Sequence, residues 1–277
     1  AVTQVIDSAK KENKMKKTVM LSAIALLVSA PVMAKTWLLT SAEGNIEQGN
    51  WRITSDQLNI KDQHFSIEQV VLHGGKQEGS KVIKLTSKNG LTIALSPTRG
   101  MNLLYADGFG VHMGWSSPVK EVVNPAFINL ESRNGLGWLE GFNEMVVRCG
   151  YEWTGHPVTA DGQLYTLHGK AGNTPASQVS VDVSEKAPYE IRIRGLVKES
   201  TFKKADLQTE MELRYIPGSN SFSLHDVLTN HADYPHDYQI IYHSNFSKPI
   251  LEEGARFITP LESVSPFNDY AKGGMKT

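Results

Sequence analysis

The sequence has one cysteine, Cys149, among its 277 residues. A chain with a single cysteine forms no internal disulfide, so its fold depends on the burial of apolar side chains. With 40% hydrophobic and 21% charged residues, the composition is that of a globular protein and excludes a disordered or fibrous one. Cys149 could act as a nucleophile, but we expect it to be a small buried residue.

The sequence also lacks an excess of positive charge and has only one long hydrophobic run. Its formal net charge is −1, so we expect no nucleic acid partner. The run lies in "MKKTVMLSAIALLVSAPVMA", where two lysines precede an uncharged segment that ends in the small residues Val32 and Ala34. This run is too short for a membrane anchor and is typical of a secretory signal peptide. We therefore expect cleavage after about Ala34 and export to the periplasm or the medium, with no membrane contact afterwards.

Residues 1–34 are interpreted as an N-terminal extension and signal peptide, and residues 35–277 as one domain. The first fourteen residues, whose origin the sequence does not explain, precede Met15 and the lysine pair. The last residues, "DYAKGGMKT", contain no closing strand pattern. We expect from this ending that the domain is incomplete at its C-terminus.

Strand patterns dominate the domain, and long helical patterns are hard to find. In "KVIKLTSKNGLTIALSP", Asn89 and Gly90 predict a hairpin turn between two alternating segments. The period of two returns in "YEIRIRGLV", "LQTEMELRY", "FSLHDVL" and "YQIIYHSNF". With the polar connectors between them, these segments predict an antiparallel meander in a mainly β fold.

Residues 101–162 have a different composition, with glycine, asparagine, proline and tryptophan in long irregular segments. Loops of this kind on a β scaffold often form a binding face. Trp115, Trp138 and Trp153 lie in this region. Each could stack on a ligand or fill the core.

No compact metal or nucleophile motif is present. The spacings between His225, His231, His236 and His243 match no zinc pattern, and the sequence has no HExxH, no GxSxG and no phosphate-binding glycine loop. We therefore expect no metal and no cofactor. Two candidates remain: His168, which ends the alternating run "LYTLHG", and His243 within "IIYHSNF". Each, taken alone, could be a structural histidine.

The segments "LHGKAGNTPA" and "YHSNFSKPIL" are similar to the aldose 1-epimerase (galactose mutarotase) superfamily, where an "LHG" histidine precedes a second histidine. Two further blocks, "SPTRGMNLLYADGFGVHMGWSSP" and "EGFNEMVVRCGYEWTGHP", resemble the DUF4432 family most closely. The resemblance covers roughly Val70 to the end. It implies a galactose mutarotase-like β-supersandwich that interconverts the anomers of an aldose, with a monosaccharide or related carbohydrate as its partner. A second "LHGG" comes before the first hairpin, so we expect its His73 to be a loop residue.

The resemblance also implies roles for individual residues. Anomer exchange needs one proton delivered to the ring oxygen and another removed from the anomeric hydroxyl. His243 would be the acid, and His168 would hold the ring oxygen or a neighbouring hydroxyl. The expected substrate-binding residues in the matched blocks are Arg99, Asn143, Glu144, Arg148 and Asn245. Ion pairs would be the alternative for the arginines, and loop-capping hydrogen bonds for the other three.

In the resembled family the base is a glutamate well beyond the second histidine. The glutamates that follow His243 here are Glu252, Glu253 and Glu262, which lie too close to it to match. We therefore expect this chain to lack the base. Two alternatives stay open: a non-catalytic periplasmic carbohydrate-binding protein, and another sugar epimerase or isomerase that uses the same histidines. The sequence leaves the sugar and the oligomeric state open.

Overall fold

The computed structural model describes residues 33–266 and 268–275. The predicted signal peptide lies outside these residues except for its last two. The described strands are β1 (Ala34–Ser41), β2 (Ile46–Glu47), β3 (Trp51–Thr54), β4 (Phe65–Val71), β5 (Lys81–Ser87), β6 (Thr92–Ser96), β7 (Asn102–Gly108), β8 (Val111–Met113), β9 (Val146–Tyr151), β10 (Val158–Ala160), β11 (Gln163–Tyr165), β12 (Gln178–Ser184), β13 (Ile191–Ser200), β14 (Asp206–Tyr215), β15 (Phe222–Asn230) and β16 (Gln239–Ser244). Two short helices, α1 (Ser132–Gly135) and α2 (Asp269–Gly274), accompany them. None of the helices in the described part of the chain has the length and apolar character that crossing a bilayer requires.

The strands form two large sheets and one small one. The six-stranded sheet has the order β15-β14-β13-β12-β1-β2, and the eight-stranded sheet has the order β16-β9-β7-β6-β5-β4-β3, with β8 attached to β7. Strands β10 and β11 form a separate hairpin. The expectation of a mainly β fold is confirmed.

One hydrophobic core joins the two large sheets. Val181 and Ile193 from the six-stranded sheet share a buried cluster with Ile67, Ile83 and Ile93 from the eight-stranded sheet. Burying the apolar faces of two sheets against each other produces a β-sandwich. We call the side of the eight-stranded sheet that faces this core its inner face, and the opposite side its outer face.

The β5–β6 hairpin confirms the turn predicted at Asn89 and Gly90. Asn89 has a φ of 59°, the left-handed conformation that such a turn requires. The hydroxyl of Tyr215 accepts a hydrogen bond from the backbone N–H of Leu91 and donates one to the carbonyl of Ser219. The bond from Leu91 to Tyr215 connects the β5–β6 hairpin to the six-stranded sheet.

The predicted meander is correct for β13 to β15 and wrong for the segment that follows. Strands β12, β13, β14 and β15 pair antiparallel in sequence order. Strand β16 instead crosses to the other sheet and pairs with β9. Alternation identifies a strand, whereas its sheet depends on packing that local sequence does not encode.

A second hydrophobic cluster covers part of the outer face. It consists of Trp138, Val147, Cys149 and Leu167, and we call it the outer core. Cys149 is fully buried there, as expected. Burial raises the pKa of its thiol to about 12, so this cysteine has little thiolate at neutral pH.

Candidate functional site

Strand β16 directs His243 to the outer face. It pairs with β9 so that Tyr242 lies opposite Arg148 and His243 lies opposite Val147. Because the side chains of neighbouring strand residues point to opposite faces, the Tyr242 side chain lies on the inner face and the His243 side chain packs against the outer core. The alternation predicted around His243 is confirmed.

His168 reaches the same place from a turn. The sequence suggested that it ends a strand, but β11 stops at Tyr165 and His168 has a φ of 58°. Its backbone N–H donates to the carbonyl of Gly155, and its carbonyl accepts from the N–H of Gly150. A side chain at Gly169 would collide with the carbonyl oxygens of Trp153 and Gly150. The chain therefore turns at His168 and Gly169, and only glycine fits at position 169. This turn directs the imidazole of His168 towards the outer core.

The two imidazoles meet each other and two aromatic rings. The ring centroids of His168 and His243 are 5.3 Å apart with an interplanar angle of 67°. Trp138 lies 4.7 Å from His168 and 6.1 Å from His243, and Phe142 lies 5.2 Å from His243. We call these four residues the histidine cluster. It singles out Trp138 among the three tryptophans that the sequence offered.

Three polar atoms of the histidine cluster lack a hydrogen-bond partner among the described residues. Nδ1 of His168, Nδ1 of His243 and Nε1 of Trp138 are buried and make no hydrogen bond within the described residues. Buried polar atoms without a partner are rare in native proteins and often mark a place where a ligand or water supplies the bond. Burial and the neighbouring His243 and His156 lower the pKa of His168 to about 4. At neutral pH His168 is therefore an uncharged hydrogen-bonding group.

The inner face behind His243 carries a satisfied ion pair. Arg148 donates to Asp226 of β15 through Nε at 2.6 Å and through Nη2 at 2.9 Å. Its Nη1 donates to the carbonyl of Met101, and Tyr242 donates its hydroxyl proton to Asp226 at 2.8 Å. Burial raises the pKa of the Tyr242 phenol to about 12. This inner network, formed by Arg148, Asp226 and Tyr242, joins the two sheets beside β16.

A second buried pair lies under the loop that leads to β9. Arg99, with no exposed surface, donates through Nε to Glu144 at 2.7 Å and through Nη1 to Asn173 at 2.9 Å. The Glu144 carboxylate also accepts from the backbone N–H of Asn143. The Asn245 side chain donates to the carbonyls of Glu144 and His243.

The structure thus brings together the two predicted catalytic histidines. The predicted sugar-binding residues make hydrogen bonds to other residues of the chain. Sugar contact by Arg99, Asn143, Glu144, Arg148 and Asn245 stays a prediction. His73 lies in an exposed loop and pairs with Glu78, as expected for a residue outside the site.

Sequence reasoning missed Phe142 and Asp226. Phe142 lies inside the matched block "EGFNEMVVRCG", so that block contained a signal for it. Asp226 had no signal, because its partner Arg148 is 78 positions away. No carboxylate of residues 33–266 or 268–275 pairs with His168 or His243; the described histidine–carboxylate contacts involve His73, His112 and His236.

Comparison with known proteins gives one family and one solved structure. The profile of the family described as "Domain of unknown function (DUF4432)" matches residues 77–277, more than half of the chain. A crystal structure of a "putative aldose 1-epimerase" from Klebsiella pneumoniae subsp. pneumoniae MGH 78578 is 81% identical over 88% of this chain, with a TM-score of 0.87. The present chain spans 64% of the length of that one. Curated proteins provide no match.

Proposed function

Because this chain belongs to the DUF4432 family and has the fold of an aldose 1-epimerase-like β-sandwich, we propose that it binds an aldose and interconverts its anomers. The histidine cluster is the proposed site. The observation that carries the proposal is the pairing of two imidazoles, 5.3 Å apart, whose buried Nδ1 atoms have no partner among the described residues. A sugar ring oxygen and a hydroxyl are groups of the kind that could provide those partners.

In the proposed reaction, His243 protonates the ring oxygen as the bond between the anomeric carbon and that oxygen breaks. The proton of the anomeric hydroxyl passes to a water molecule, since no described carboxylate pairs with either imidazole, and an open aldehyde forms. The aldehyde rotates, the ring closes on its other face, and the two protons return. His168, with its pKa near 4, stays neutral through this cycle and holds the ring oxygen or an adjacent hydroxyl.

Trp138 and Phe142 hold the two imidazoles in place in this proposal. Their ring centroids lie 6.1 and 5.2 Å from the centroid of the His243 ring. A fixed imidazole loses less freedom when the substrate binds, which favours proton transfer at a defined atom. Arg148 acts one layer further away, since its donors are engaged by Asp226 and the carbonyl of Met101. Arg99 pairs with Glu144 through Nε, while its buried Nη2 has no partner among the described residues.

A second candidate function is sugar binding without turnover. The observation that favours it is the absence of a carboxylate paired with either imidazole in the described part of the chain. A carbohydrate-binding protein would keep the histidine cluster and need no base.

Proton NMR on a panel of aldoses separates these functions. For an anomer-exchanging enzyme we expect saturation transfer between the two anomeric protons above the spontaneous rate, and we expect His243→Ala to abolish it while sugar binding remains detectable. Binding with no exchange in either protein would support the second candidate. Solvent deuterium entering a carbon position would indicate an epimerase acting at that carbon. Full exchange in His243→Ala would contradict the assignment of the acid.

We also propose that the protein is exported. The support is the lysine pair followed by an uncharged segment and the small residues Val32 and Ala34. Cleavage after Ala34 would leave β1 nearly whole, because its pairing with β12 continues from Lys35 to Ser41. Expression of the full chain followed by N-terminal mass measurement of the periplasmic fraction is the test, and an uncleaved cytoplasmic protein would contradict export.

A further inference from the structure

A cavity of about 820 Å³ lies on the other side of the segment that carries His168. The segment after β9, the β10–β11 hairpin, residues 128–131 and the end of β13 form its walls. Its lining combines aromatic rings, carboxylates, amides and a lysine. No part of the proposed reaction uses this cavity.

We propose that this cavity is a second carbohydrate site, which binds an uncharged sugar ring separately from the histidine cluster. The proposal goes beyond anomer exchange and does not depend on it. Three features of the lining support it: a buried carboxylate with a free oxygen, an aromatic pair, and an excess of negative charge.

Glu199 supplies the buried carboxylate. It is only 6% exposed and lines the cavity from the end of β13. Its Oε2 accepts hydrogen bonds from the backbone N–H groups of Tyr151 at 2.6 Å and Glu152 at 3.2 Å. Its Oε1 accepts none from the described residues, which leaves a strong acceptor available to a hydroxyl of a ligand.

Trp153 and Tyr165 supply the aromatic pair. Their ring centroids are 5.4 Å apart, and both residues line the cavity. Nε1 of Trp153 donates to the carbonyl of Thr166 at 3.0 Å, which fixes the orientation of the indole. An indole held in this way offers an apolar surface to the C–H groups of a sugar, while nearby polar groups bind the hydroxyls.

The charges of the lining select among sugars. Glu131, Glu152 and Glu199 face the cavity together with a single basic residue, Lys170. This excess of carboxylates repels phosphorylated and acidic sugars. The described part of the chain also holds no group of three metal-ligating side chains, so the carboxylates do not form a metal site. A neutral ring with several hydroxyls matches this lining.

The two sites share one segment of backbone. Thr166, Gly169 and Lys170 line the cavity, whereas Leu167 and His168 between them pack into the outer core and the histidine cluster. A ligand in the cavity is therefore separated from a ligand at the histidines by residues 166–170. Each site has its own tryptophan: Trp153 in the cavity and Trp138 in the histidine cluster.

The tryptophans make the two sites separately observable. The protein has five tryptophans, so ¹⁵N-tryptophan labelling gives five indole N–H signals, which single Trp→Phe variants assign. Titration with glucose or galactose should shift the Trp153 signal in a saturable way, and glucose 6-phosphate should not. We expect Glu199→Gln, which keeps the acceptor for the two backbone N–H groups, to weaken this binding roughly tenfold.

Two further variants complete the test. Gln163→Ala changes an exposed residue of the cavity rim and should weaken binding roughly fivefold even if Glu199→Gln fails to fold. Glu68→Gln is the matched control. Glu68 is a carboxylate of β4 that pairs with Lys84 of β5 and does not line the cavity, so this variant should leave binding unchanged. The proposal is overturned if the Trp153 signal responds to no neutral sugar, if all three variants bind alike, or if the phosphorylated sugar binds as tightly. Anomer exchange reports on the histidine cluster, and the effect of Glu199→Gln on the Trp153 titration reports on the cavity, so failure of either proposal is visible without the other.

Discussion

The two faces of the β9–β16 pair treat the polar groups beside Tyr242 and His243 in opposite ways. On the inner face, Arg148 and Tyr242 both bond to Asp226, and every donor of Arg148 that the structure describes has an acceptor. On the outer face, His168 and His243 lie in contact and keep buried nitrogen atoms without a partner in the part of the chain that the structure describes. Adjacent residues of one strand, Tyr242 and His243, therefore belong to different kinds of structure.

The difference has an energetic meaning. A buried polar atom without a partner costs about 1–3 kcal/mol of folding free energy. A fold retains such a cost where another use of the atoms requires it, and ligand sites are the usual places. The inner network then stabilises β16, the strand that carries His243. This stability offsets the cost of the polar atoms on the outer face that lack partners among the described residues.

Breaking the inner network should have the largest effect on stability. In Asp226→Ala, Arg148 keeps a buried charge with no carboxylate, and its side chain is only 2% exposed. We expect unfolding free energy to fall by about 3–5 kcal/mol. Urea unfolding followed by circular dichroism measures the change.

The matched control uses an exposed ion pair of the same sheet. Glu68 and Lys84 pair between β4 and β5, with the lysine side chain 41% exposed. Glu68→Ala should therefore cost less than about 1 kcal/mol. Equal losses in the two variants would show that the inner network has no special role.

Removing the Trp138 ring, which packs against both histidines, should cost somewhat less stability. Trp138 is 1% exposed and packs against Phe142 and His168. Trp138→Leu leaves a partly refilled cavity, and we expect a loss of about 2–3 kcal/mol in unfolding free energy. The neighbouring Leu139, which is 46% exposed, provides the control: Leu139→Ala should change stability by less than about 0.5 kcal/mol.

A pH series should isolate the uncharged state of His168. Its pKa is lowered from 6.5 to about 4 in the folded protein, so between these values the unfolded chain binds more protons than the folded one. Stability must then fall as the pH drops from about 6.5 towards about 4. Because the ring is partly exposed, we expect a contribution of only about 1–2 kcal/mol.

His168→Asn is the variant that tests this contribution. Asparagine tolerates the left-handed backbone conformation of position 168 and does not titrate. The unfolding free energy of the wild type should decline more steeply than that of the variant over this pH range. Parallel pH profiles would mean that His168 titrates alike in the folded and unfolded protein.

Local sequence was sufficient for some elements and silent on others. Alternation of apolar residues identified β13 and β14, and Asn89 with Gly90 identified a turn, because both signals arise from neighbouring residues. The pairing of β16 with β9 depends on which sheet edge is free once the sandwich forms. The turn at His168 depends on how closely Gly169 approaches two distant carbonyl oxygens.

The candidate site follows the same rule. The motifs around His168 and His243 pointed to both residues, but the ring contacts with Trp138 could not be read from separations of 30 and 105 positions along the chain. The sequence offered three equivalent tryptophans, and only packing distinguishes them. Asp226 was not considered, since an aspartate on an alternating strand is usually a solvent-exposed residue.

Cys149 offers the smallest effect and the most direct view of the outer face. Its buried thiol, with a pKa raised to about 12, should remain unmodified by iodoacetamide at neutral pH over hours, as intact-mass spectrometry would show. Trp138→Leu should speed labelling, because Trp138 and Cys149 belong to the same outer core. Asp226→Ala should be compared with wild-type protein in enough urea to give both the same unfolding free energy. Under these conditions we expect Asp226→Ala to speed labelling of Cys149 less than Trp138→Leu does, because Asp226 lies on the inner face. Fast labelling of the wild type would mean that the outer core opens freely, and the two faces would then differ in mobility as well as in hydrogen bonding.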